Sequence, residues 1–406
     1  MRREGLIGLK ARIVNWIQRK LSGWGGLMCG VYLGVAGVWG GEAGLLVPTA
    51  KDWPMFRGRP SLSGVAAVGL PDAMAVRWTF KAGGSIRSSA AVVGGVVYVG
   101  SDDGKVYAVG LEDGAKRWEY DTGEAVESSP MVLDGRVYVG SSSGKFYALD
   151  AGSGEVVWEV ETGDQILGSP NVVASPSGGK PWVLVGSYDF QLYCLDGATG
   201  VTNWVYETGN YINGSPAVEE GRTVFGGCDA ILHVLGLADG KPVKEIDAGA
   251  YIAGSAAVVG GRAYVGHYDN EFLCFDLEKG ERVWTYKDRN FPYFSSPAVG
   301  EREVVFGGRD RKLHCVERSS GEVRWTFRTG GQVDSSPVIA GGRVVFGSND
   351  GKLYVVDLMS GKEVWSTTIG ESVVVSPAVV EGAVVVGAED GVVYCFGPVG
   401  GRGAVN

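Results

Sequence analysis

One sequence pattern recurs eight times between residues 83 and 397, and this repetition constrains the fold more than any other feature. Each copy holds a serine, a glycine turn, a run resembling Val-Tyr-Val-Gly, a second turn and a third apolar run. The anchor serines follow one another at steps of 40 or 41 residues, with one step of 46: Ser89, Ser129, Ser169, Ser215, Ser255, Ser296, Ser336 and Ser376. A fixed period of this length is typical of stacked supersecondary units rather than of independent domains.

The second copy shows what one unit can form. Residues 128–133 and 136–140 read as short strands joined by an Asp134-Gly135 hairpin turn. Residues 145–150 and 156–160 read as two further strands, with a turn at Gly154 between them. Four short antiparallel strands in about 40 residues make one blade of a β-propeller. The sequence therefore predicts an all-β fold, an eight-bladed propeller over residues 75–397.

The last copy predicts how the ring closes. Residues 372–397 hold three strand patterns and no fourth one, whereas residues 75–81, around Trp78, form a strand pattern with no blade before it. Pairing these two segments would complete the eighth blade and remove two open sheet edges.

The ends of the chain differ from the repeats. Residues 1–20 are basic, residues 21–41 carry no charge, and small residues around Ala43 follow, so residues 1–43 are predicted to be a secretory signal or an N-terminal membrane anchor. Either would place the repeats outside the cytoplasm. Leu27 and Met28 fit a lipoprotein signal at Cys29 poorly. Residues 44–74 are a lead-in segment and residues 398–406 a tail.

The charge excludes one class of function, and the cysteine spacing indicates what the thiols do. The net charge of −9 includes no large basic run, so the footprint of a nucleic-acid-binding protein is absent. The six cysteines include no adjacent pair and no Cys-x-x-Cys. Cys194, Cys274, Cys315 and Cys395 share one repeat position, which favours small buried hydrophobic residues over disulfides.

A nine-residue motif carries a family resemblance. Asp-x-x-x-Gly-x-x-x-Trp occurs at residues 150–158, 196–204, 276–284 and 357–365. It resembles the tryptophan-docking motif of the pyrroloquinoline-quinone-like (PQQ-like) β-propellers, and residues 52–58 (DWPMFRG) resemble the lead-in of secreted bacterial members. The resemblance implies that one tryptophan wedges between each pair of neighbouring blades, while Lys244 replaces it once. The matching residues are Trp78, Trp118, Trp158, Trp204, Trp284, Trp325 and Trp365.

The resemblance leaves two kinds of function open. Some members are quinoprotein dehydrogenases that hold PQQ and calcium, and others are non-catalytic propellers such as the lipoprotein of the outer-membrane β-barrel assembly machinery. The dehydrogenases resemble one another in an adjacent cysteine pair and long blade insertions. This chain has no such pair, and its largest insertion is at residues 174–181. We therefore expect no cofactor and no metal, with PQQ and calcium as the alternative.

Comparison among the repeats separates positions needed by every blade from positions that vary. The residue two places before the anchor serine varies, and this set is expected to surround the channel mouth: Arg87, Glu127, Leu167, Asn213, Ala253, Phe294, Asp334 and Val374. Glu127, Asn213 and Asp334 have side chains suited to calcium. These three residues belong to distant blades, which argues against a shared calcium site. We interpret them instead as separate polar positions, with Glu127 paired to Arg87 of the adjacent blade. Second-turn aspartates and the three histidines are interpreted as turn and packing residues.

Aromatic residues give the strongest indication of function. They fall on the inner loops or second turns of blades three to six, which open on one face: Tyr188, Tyr211, Tyr251, Tyr268, Phe291 and Phe294. Exposed clustered aromatics suit a binding hot spot, although they could instead close the channel.

These patterns together favour a non-catalytic, extracytoplasmic scaffold. It would be a monomer, periplasmic or secreted, and would bind a protein or peptide over blades three to six. If residues 1–43 are an anchor, its N-terminus would tether it to a membrane. The expected binding positions also include the polar mouth residues Arg87, Glu127, Asn213 and Asp334. The alternatives are a PQQ-dependent oxidoreductase and an outer-membrane protein assembly factor.

Overall fold

The computed structural model describes residues 46–176 and 178–399. Within these residues, thirty-two strands form eight four-stranded antiparallel sheets, which confirms the predicted eight-bladed all-β propeller. The predicted signal or anchor at residues 1–43 lies outside the described residues, as do residues 400–406 of the tail. In the described part of the chain, no helix has the length and apolar character that crossing a membrane requires.

The strands are numbered in chain order, and each blade is given from its innermost strand outwards. Blades 1 to 4 comprise β2 (Ala91–Val93), β3 (Val96–Gly100), β4 (Lys105–Gly110) and β5 (Lys116–Asp121); β6 (Met131–Leu133), β7 (Arg136–Gly140), β8 (Lys145–Asp150) and β9 (Val156–Glu161); β10 (Asn171–Val173), β11 (Trp182–Gly186), β12 (Gln191–Asp196) and β13 (Thr202–Glu207); and β14 (Ala217–Glu219), β15 (Arg222–Gly226), β16 (Ile231–Gly236) and β17 (Pro242–Asp247).

Blades 5 to 8 follow the same plan. They comprise β18 (Ala257–Val258), β19 (Arg262–Gly266), β20 (Phe272–Asp276) and β21 (Glu281–Tyr286); β22 (Ala298–Val299), β23 (Glu303–Gly308), β24 (Lys312–Glu317) and β25 (Val323–Arg328); β26 (Val338–Ala340), β27 (Arg343–Ser348), β28 (Lys352–Asp357) and β29 (Glu363–Thr368); and β30 (Ala378–Val380), β31 (Ala383–Gly387), β32 (Val392–Pro398) and β1 (Met74–Lys81).

The ring closes as the sequence predicts. Strand β1 pairs antiparallel with β32, and Trp78 stands opposite Cys395. The residue before Trp78 bulges out of this pairing, as does the residue before Trp118 in blade 1. Strand β1 therefore takes the place of a fourth strand in the eighth blade. The predicted innermost strands, such as residues 128–133, are shorter in the structure, which has Met131–Leu133.

The tryptophans join each blade to the next. The Trp78 indole N–H donates to the Leu111 carbonyl of blade 1 at 2.8 Å, and Trp118 donates to Ala151 of blade 2 at 2.9 Å. Each indole covers a glycine with positive φ, such as Gly114 at +68°, where a methyl group would lie 2.8 Å from the Trp78 ring. Equivalent bonds run from Trp158 to Gly197, Trp204 to Leu237, Trp284 to Arg318 and Trp325 to Leu358.

The two remaining docking positions differ. Lys244 replaces the tryptophan between blades 4 and 5, and its aliphatic stem lies against Gly280. This arrangement keeps apolar contact with the glycine but loses the indole N–H donor. Trp365, on blade 7, packs against Phe396 of blade 8 with ring centroids 5.8 Å apart.

The anchor serines form a belt around the central channel. The backbone N–H of Ser89 donates to Oγ of Ser129 at 3.0 Å, and the Ser129 N–H donates to Oγ of Ser169 at 3.2 Å. The same bond continues from Ser169 through Ser215, Ser255 and Ser296 to Ser336, and the Ser376 N–H donates to Ser89 at 2.9 Å. The Ser376 hydroxyl instead accepts from Arg57 Nη1 at 3.4 Å. A serine recurs because seven of these eight hydroxyls accept the backbone N–H of the preceding blade's serine.

The lead-in segment lies within the channel, one layer below this belt. Its carbonyl groups accept backbone N–H donors from the innermost strands of six blades: Trp53 from Val92, Pro54 from Val132, Pro60 from Val218, Ser61 from Val258, Ser63 from Val299 and Gly64 from Ile339. Asn171 of blade 3 donates its side-chain amide to Pro60, and Glu381 of blade 8 donates to Ala50. The lead-in thereby bonds to every blade, a role that its sequence did not indicate.

Candidate binding face at the channel mouth

The opposite end of the channel is open and is called the mouth. Here the inner loop that leads into each innermost strand lies beside the second turn of the same blade. The Tyr188 N–H donates to the Gln165 carbonyl at 3.0 Å, and the Tyr268 N–H donates to Tyr251 at 3.0 Å. All eight blades repeat this bond, which fixes the mouth residues on a rigid backbone.

A cavity of about 190 Å³ occupies the mouth. Its floor includes Phe56 of the lead-in and all eight belt serines. Seven of the eight variable positions line its wall: Arg87, Glu127, Leu167, Asn213, Ala253, Phe294 and Val374. The eighth, Asp334, is turned towards Arg309 instead.

Arg57 supports the floor from below. Its side chain is fully buried and donates to the carbonyl groups of Pro297, Ser336 and Pro337 and to Ser376 Oγ. Burial lowers its pKa to about 9. Sequence reasoning missed this residue as a structural centre; the motif around residues 52–58 was its only sign.

The predicted aromatic residues gather on one side of the mouth. Tyr188 stacks on Tyr211 with ring centroids 4.9 Å apart, and Phe190 meets Tyr211 edge-on at 5.1 Å. Tyr268 contacts Tyr251 at 6.4 Å and Phe294 at 4.5 Å. The six residues of these two clusters are called the aromatic half of the mouth: Tyr188, Phe190, Tyr211, Tyr251, Tyr268 and Phe294.

This half remains accessible. The exposed fractions are 40% for Tyr211, 53% for Tyr251 and 47% for Tyr268, and these values are too large for buried packing residues. Phe291, which was predicted with them, lies outside the two clusters and is 44% exposed. Burial raises the pKa of Tyr188 to about 12, with smaller contributions from the charges of Cys228, Tyr268 and Glu127. The aromatic half therefore offers ring surface rather than a sealed plug.

Carboxylates occupy the opposite side, on blades 8, 1 and 2. Arg87 lies 3.4 Å from Glu389, 3.6 Å from Asp102 and 3.8 Å from Glu127. Burial raises the pKa of Asp102 and of Glu127, although Arg87 opposes both shifts. These four residues are called the acidic half of the mouth.

The three residues suited to calcium do not converge. Asp334 accepts hydrogen bonds from Arg309 at 3.0 Å, Asn213 donates to the Cys228 sulfur at 2.9 Å, and Glu127 faces Arg87. Because the carboxylates already face guanidinium groups, this donor set does not fit a calcium–quinone site. The described cysteines are free, and four of the five are buried in separate blades.

One group of described residues elsewhere has metal-like spacing. Ligand atoms of Asp288, Asp310 and His314 lie within 4.8 Å of one another. The Lys312 ammonium pairs with Asp288 and lies 3.6 Å from Asp310, so a cationic side chain already occupies this place. His314 stacks on Phe306 with ring centroids 5.4 Å apart, consistent with packing.

Repeat comparison explains this group. In blade 1 the turn carboxylate of Asp103 accepts the Gly83 N–H at 2.7 Å and the Tyr107 hydroxyl at 2.6 Å. Asp310 is the equivalent carboxylate, but one of its buried oxygens has no hydrogen-bond partner. Lys312 supplies the nearby positive charge in blade 6. The turn aspartates thus serve the blades, which agrees with their interpretation as turn residues.

A second cleft of about 260 Å³ lies at the second turn of blade 5. It is lined by Ala248, Gly249, His267, Asp269, Asn270, Glu271, Arg282 and Lys287. His267 accepts the Asp269 N–H at Nδ1, which places the proton of the neutral ring on Nε2, towards Glu271. Burial lowers the pKa of His267. The ring is therefore held as a turn residue rather than presented to a metal.

Comparison with known proteins now identifies the family. The family model described as outer membrane protein assembly factor BamB matches residues 65–180, 213–325 and 292–402. The chain belongs to this family of PQQ-like propellers. No curated protein sequence matches the chain.

Solved structures show the same fold in proteins of different function. BamB from Moraxella catarrhalis is similar at 20% identity and a TM-score of 0.67, over 80% of this chain and 100% of that chain. The computationally designed Ika8 protein is similar at 17% identity and a TM-score of 0.69, over 78% and 97%. Quinohemoprotein alcohol dehydrogenase from Comamonas testosteroni is similar at 14% identity and a TM-score of 0.72, over 88% and 82%. At these identities the likeness concerns the fold alone.

Proposed function

We propose that this PQQ-like propeller is a non-catalytic, extracytoplasmic platform that binds a protein or peptide segment at its mouth. The observation that carries the proposal is the exposed aromatic half over blades 3 to 6. Tyrosine supplies large contact area at a small loss of side-chain entropy, which suits a binding hot spot.

The frame beneath the mouth supports this role. The serine belt, the docking tryptophans and the lead-in fix all eight blades, so the tyrosines need little ordering when a partner arrives. A preorganised surface loses less conformational entropy on association and therefore binds more tightly.

A direct test is to replace the aromatic half. Tyr211→Ala, Tyr251→Ala and Phe294→Ala together should abolish crosslinking of a partner from the native cell envelope while the melting temperature stays within a few degrees. The matched control replaces three exposed valines on the blade rims, Val201, Val205 and Val323, with alanine. An identical crosslinked partner in both variants would refute the aromatic platform.

The rival from another class is a PQQ-dependent oxidoreductase. It is tested by titrating the purified protein with PQQ and calcium. We expect no stoichiometric binding and no dye-linked oxidation of alcohols or sugars, because the mouth carboxylates face guanidinium groups. Tight binding with turnover would replace the platform proposal.

A role in outer-membrane protein assembly is a more specific form of the platform. It is favoured by the family match and by the likeness along the whole of the Moraxella catarrhalis BamB chain. Crosslinking in intact cells should then capture a β-barrel assembly protein, and cell fractionation should place the propeller outside the cytoplasm. Capture of other envelope proteins only would retain the platform and exclude the assembly role.

A further inference from the structure

The acidic half gives the mouth a charge that its own residues do not balance. Three carboxylates, those of Asp102, Glu127 and Glu389, share the single guanidinium of Arg87. One oxygen of Asp102 is buried without a hydrogen-bond partner. Burial and neighbouring acidic groups raise the pKa of Asp102, and burial raises that of Glu127, as expected for carboxylates with too little positive charge nearby. An additional cation would therefore be favoured here.

The acidic and aromatic halves adjoin each other. Glu127 is on blade 2 and Tyr188 on blade 3, and the charge of Glu127 is one of the causes that raise the Tyr188 pKa. The apolar residues Leu167 and Ala253 line the cavity on either side of Asn213. One short extended segment could therefore contact both halves with neighbouring side chains.

The charges at the far edge of the aromatic half are balanced. The Arg309 guanidinium lies 4.0 Å from the centre of the Phe294 ring and pairs with Asp334. A basic side chain would therefore be attracted to the excess of carboxylates at blades 8 to 2 rather than to this neutral edge. The mouth thus has a direction, with a cation-binding end and an apolar end.

We propose that the mouth selects a protein segment in which a lysine or arginine stands beside an aromatic residue. The basic group would pair with Glu127 and Asp102, and the aromatic ring would pack against Tyr188 and Tyr211. A tyrosine face also attracts a cation, so the two features reinforce each other where the halves meet. This inference rests on the proposed platform and specifies the chemistry of its partner.

Four dye-labelled synthetic peptides of equal length test it. Their central pairs are Arg-Trp, Glu-Trp, Arg-Ala and Glu-Ala, and fluorescence anisotropy measures binding to the full chain. The Arg-Trp peptide should bind about tenfold more tightly than each of the others, since a contact to a charged group is worth about one order of magnitude. A rise from about 50 to about 500 mM salt should weaken Arg-Trp most.

Variants of the acidic half should change the peptide affinity in opposite directions, which misfolding cannot do. Glu127→Gln should lower the affinity for Arg-Trp about tenfold and leave Glu-Trp unchanged. Arg87→Gln should have the reverse effect and tighten Arg-Trp binding, because it removes the competing guanidinium. Asp113→Asn is the matched control, since this carboxylate pairs with Arg117 at 2.9 Å on a turn of blade 1 away from the cavity lining.

The outcomes separate this inference from the platform beneath it. Equal binding of Arg-Trp and Glu-Trp, with loss of both in Tyr211→Ala, would overturn the charge selection and retain the platform. Failure of all four peptides, while the aromatic variant still loses its crosslinked partner, would also overturn only the selection. Failure of the peptides together with unchanged crosslinking would overturn both.

Discussion

The two ends of the central channel use the same eight blades in opposite ways. At the lead-in end, each blade contributes a bond to one continuous segment, and most of these bonds involve backbone atoms. At the mouth, the backbone bonds repeat but the side chains differ from blade to blade. Positions that repeat therefore build the frame, and positions that vary give the open end its aromatic and acidic halves. Variants at the two ends should separate stability from recognition.

The largest effect is expected at the lead-in end. Arg57→Ala would leave the carbonyl groups of Pro297, Ser336 and Pro337 without their buried donors. We expect a loss of about 3 kcal/mol or more in the free energy of unfolding, measured by urea denaturation. Arg57→Lys should recover only part of it, because one ammonium cannot match the fork geometry. An unchanged denaturation midpoint would show that the lead-in does not hold the blades.

The docking positions should give the next largest effect. Trp284→Ala removes a buried ring and its bond to Arg318, for a loss of about 3 kcal/mol. Lys244→Ala should cost less than half of that, since the lysine contributes only its stem against Gly280. Thermal denaturation of the two variants side by side checks this. Equal losses would mean that the blade 4–5 contact is as strong as the others.

At the mouth, substitutions should affect partner binding more than stability. Tyr251→Ala removes a ring that is 53% exposed, so the free energy of unfolding should change by less than about 0.5 kcal/mol. Partner crosslinking, by contrast, should fall severalfold. A large loss of stability would assign Tyr251 to the frame and weaken the contrast between the two ends.

The smallest effect concerns pH. Because burial raises the folded-state pKa of Glu127, its ionised form destabilises the fold above that pKa, and stability is regained as the pH falls through it. Glu127→Gln should therefore raise the melting temperature slightly at about pH 7, with the difference vanishing below about pH 4. Melting curves across this range, with Asp113→Asn as control, provide the measurement. A lower melting temperature at neutral pH would show that the Arg87 pair stabilises the fold instead.

Much of the fold could be predicted because the structure of a blade depends on residues that are close in sequence. Alternation with period two predicts each strand, and the unfinished last repeat predicts the pairing of β1 with β32. The variable positions could be placed at the mouth for the same reason. Each residue of one repeat has an equivalent in the seven others, so a position that varies among them is visible in the sequence. How Asp334 is held by Arg309 could not be predicted, because Arg309 belongs to the preceding blade's turn and no local pattern joins the two.

The sequence by itself determined the blade, the number of blades, their closure and which positions differ among them. Only the tertiary structure decided that the lead-in occupies the channel, that Arg57 bonds to residues up to 319 positions away, and that one guanidinium is shared by three carboxylates. The physical reason is the distance along the sequence over which each interaction acts. Strand alternation and turn chemistry act between neighbouring residues and produce a periodic sequence pattern. Contacts across a closed ring depend instead on packing between segments that are far apart in sequence.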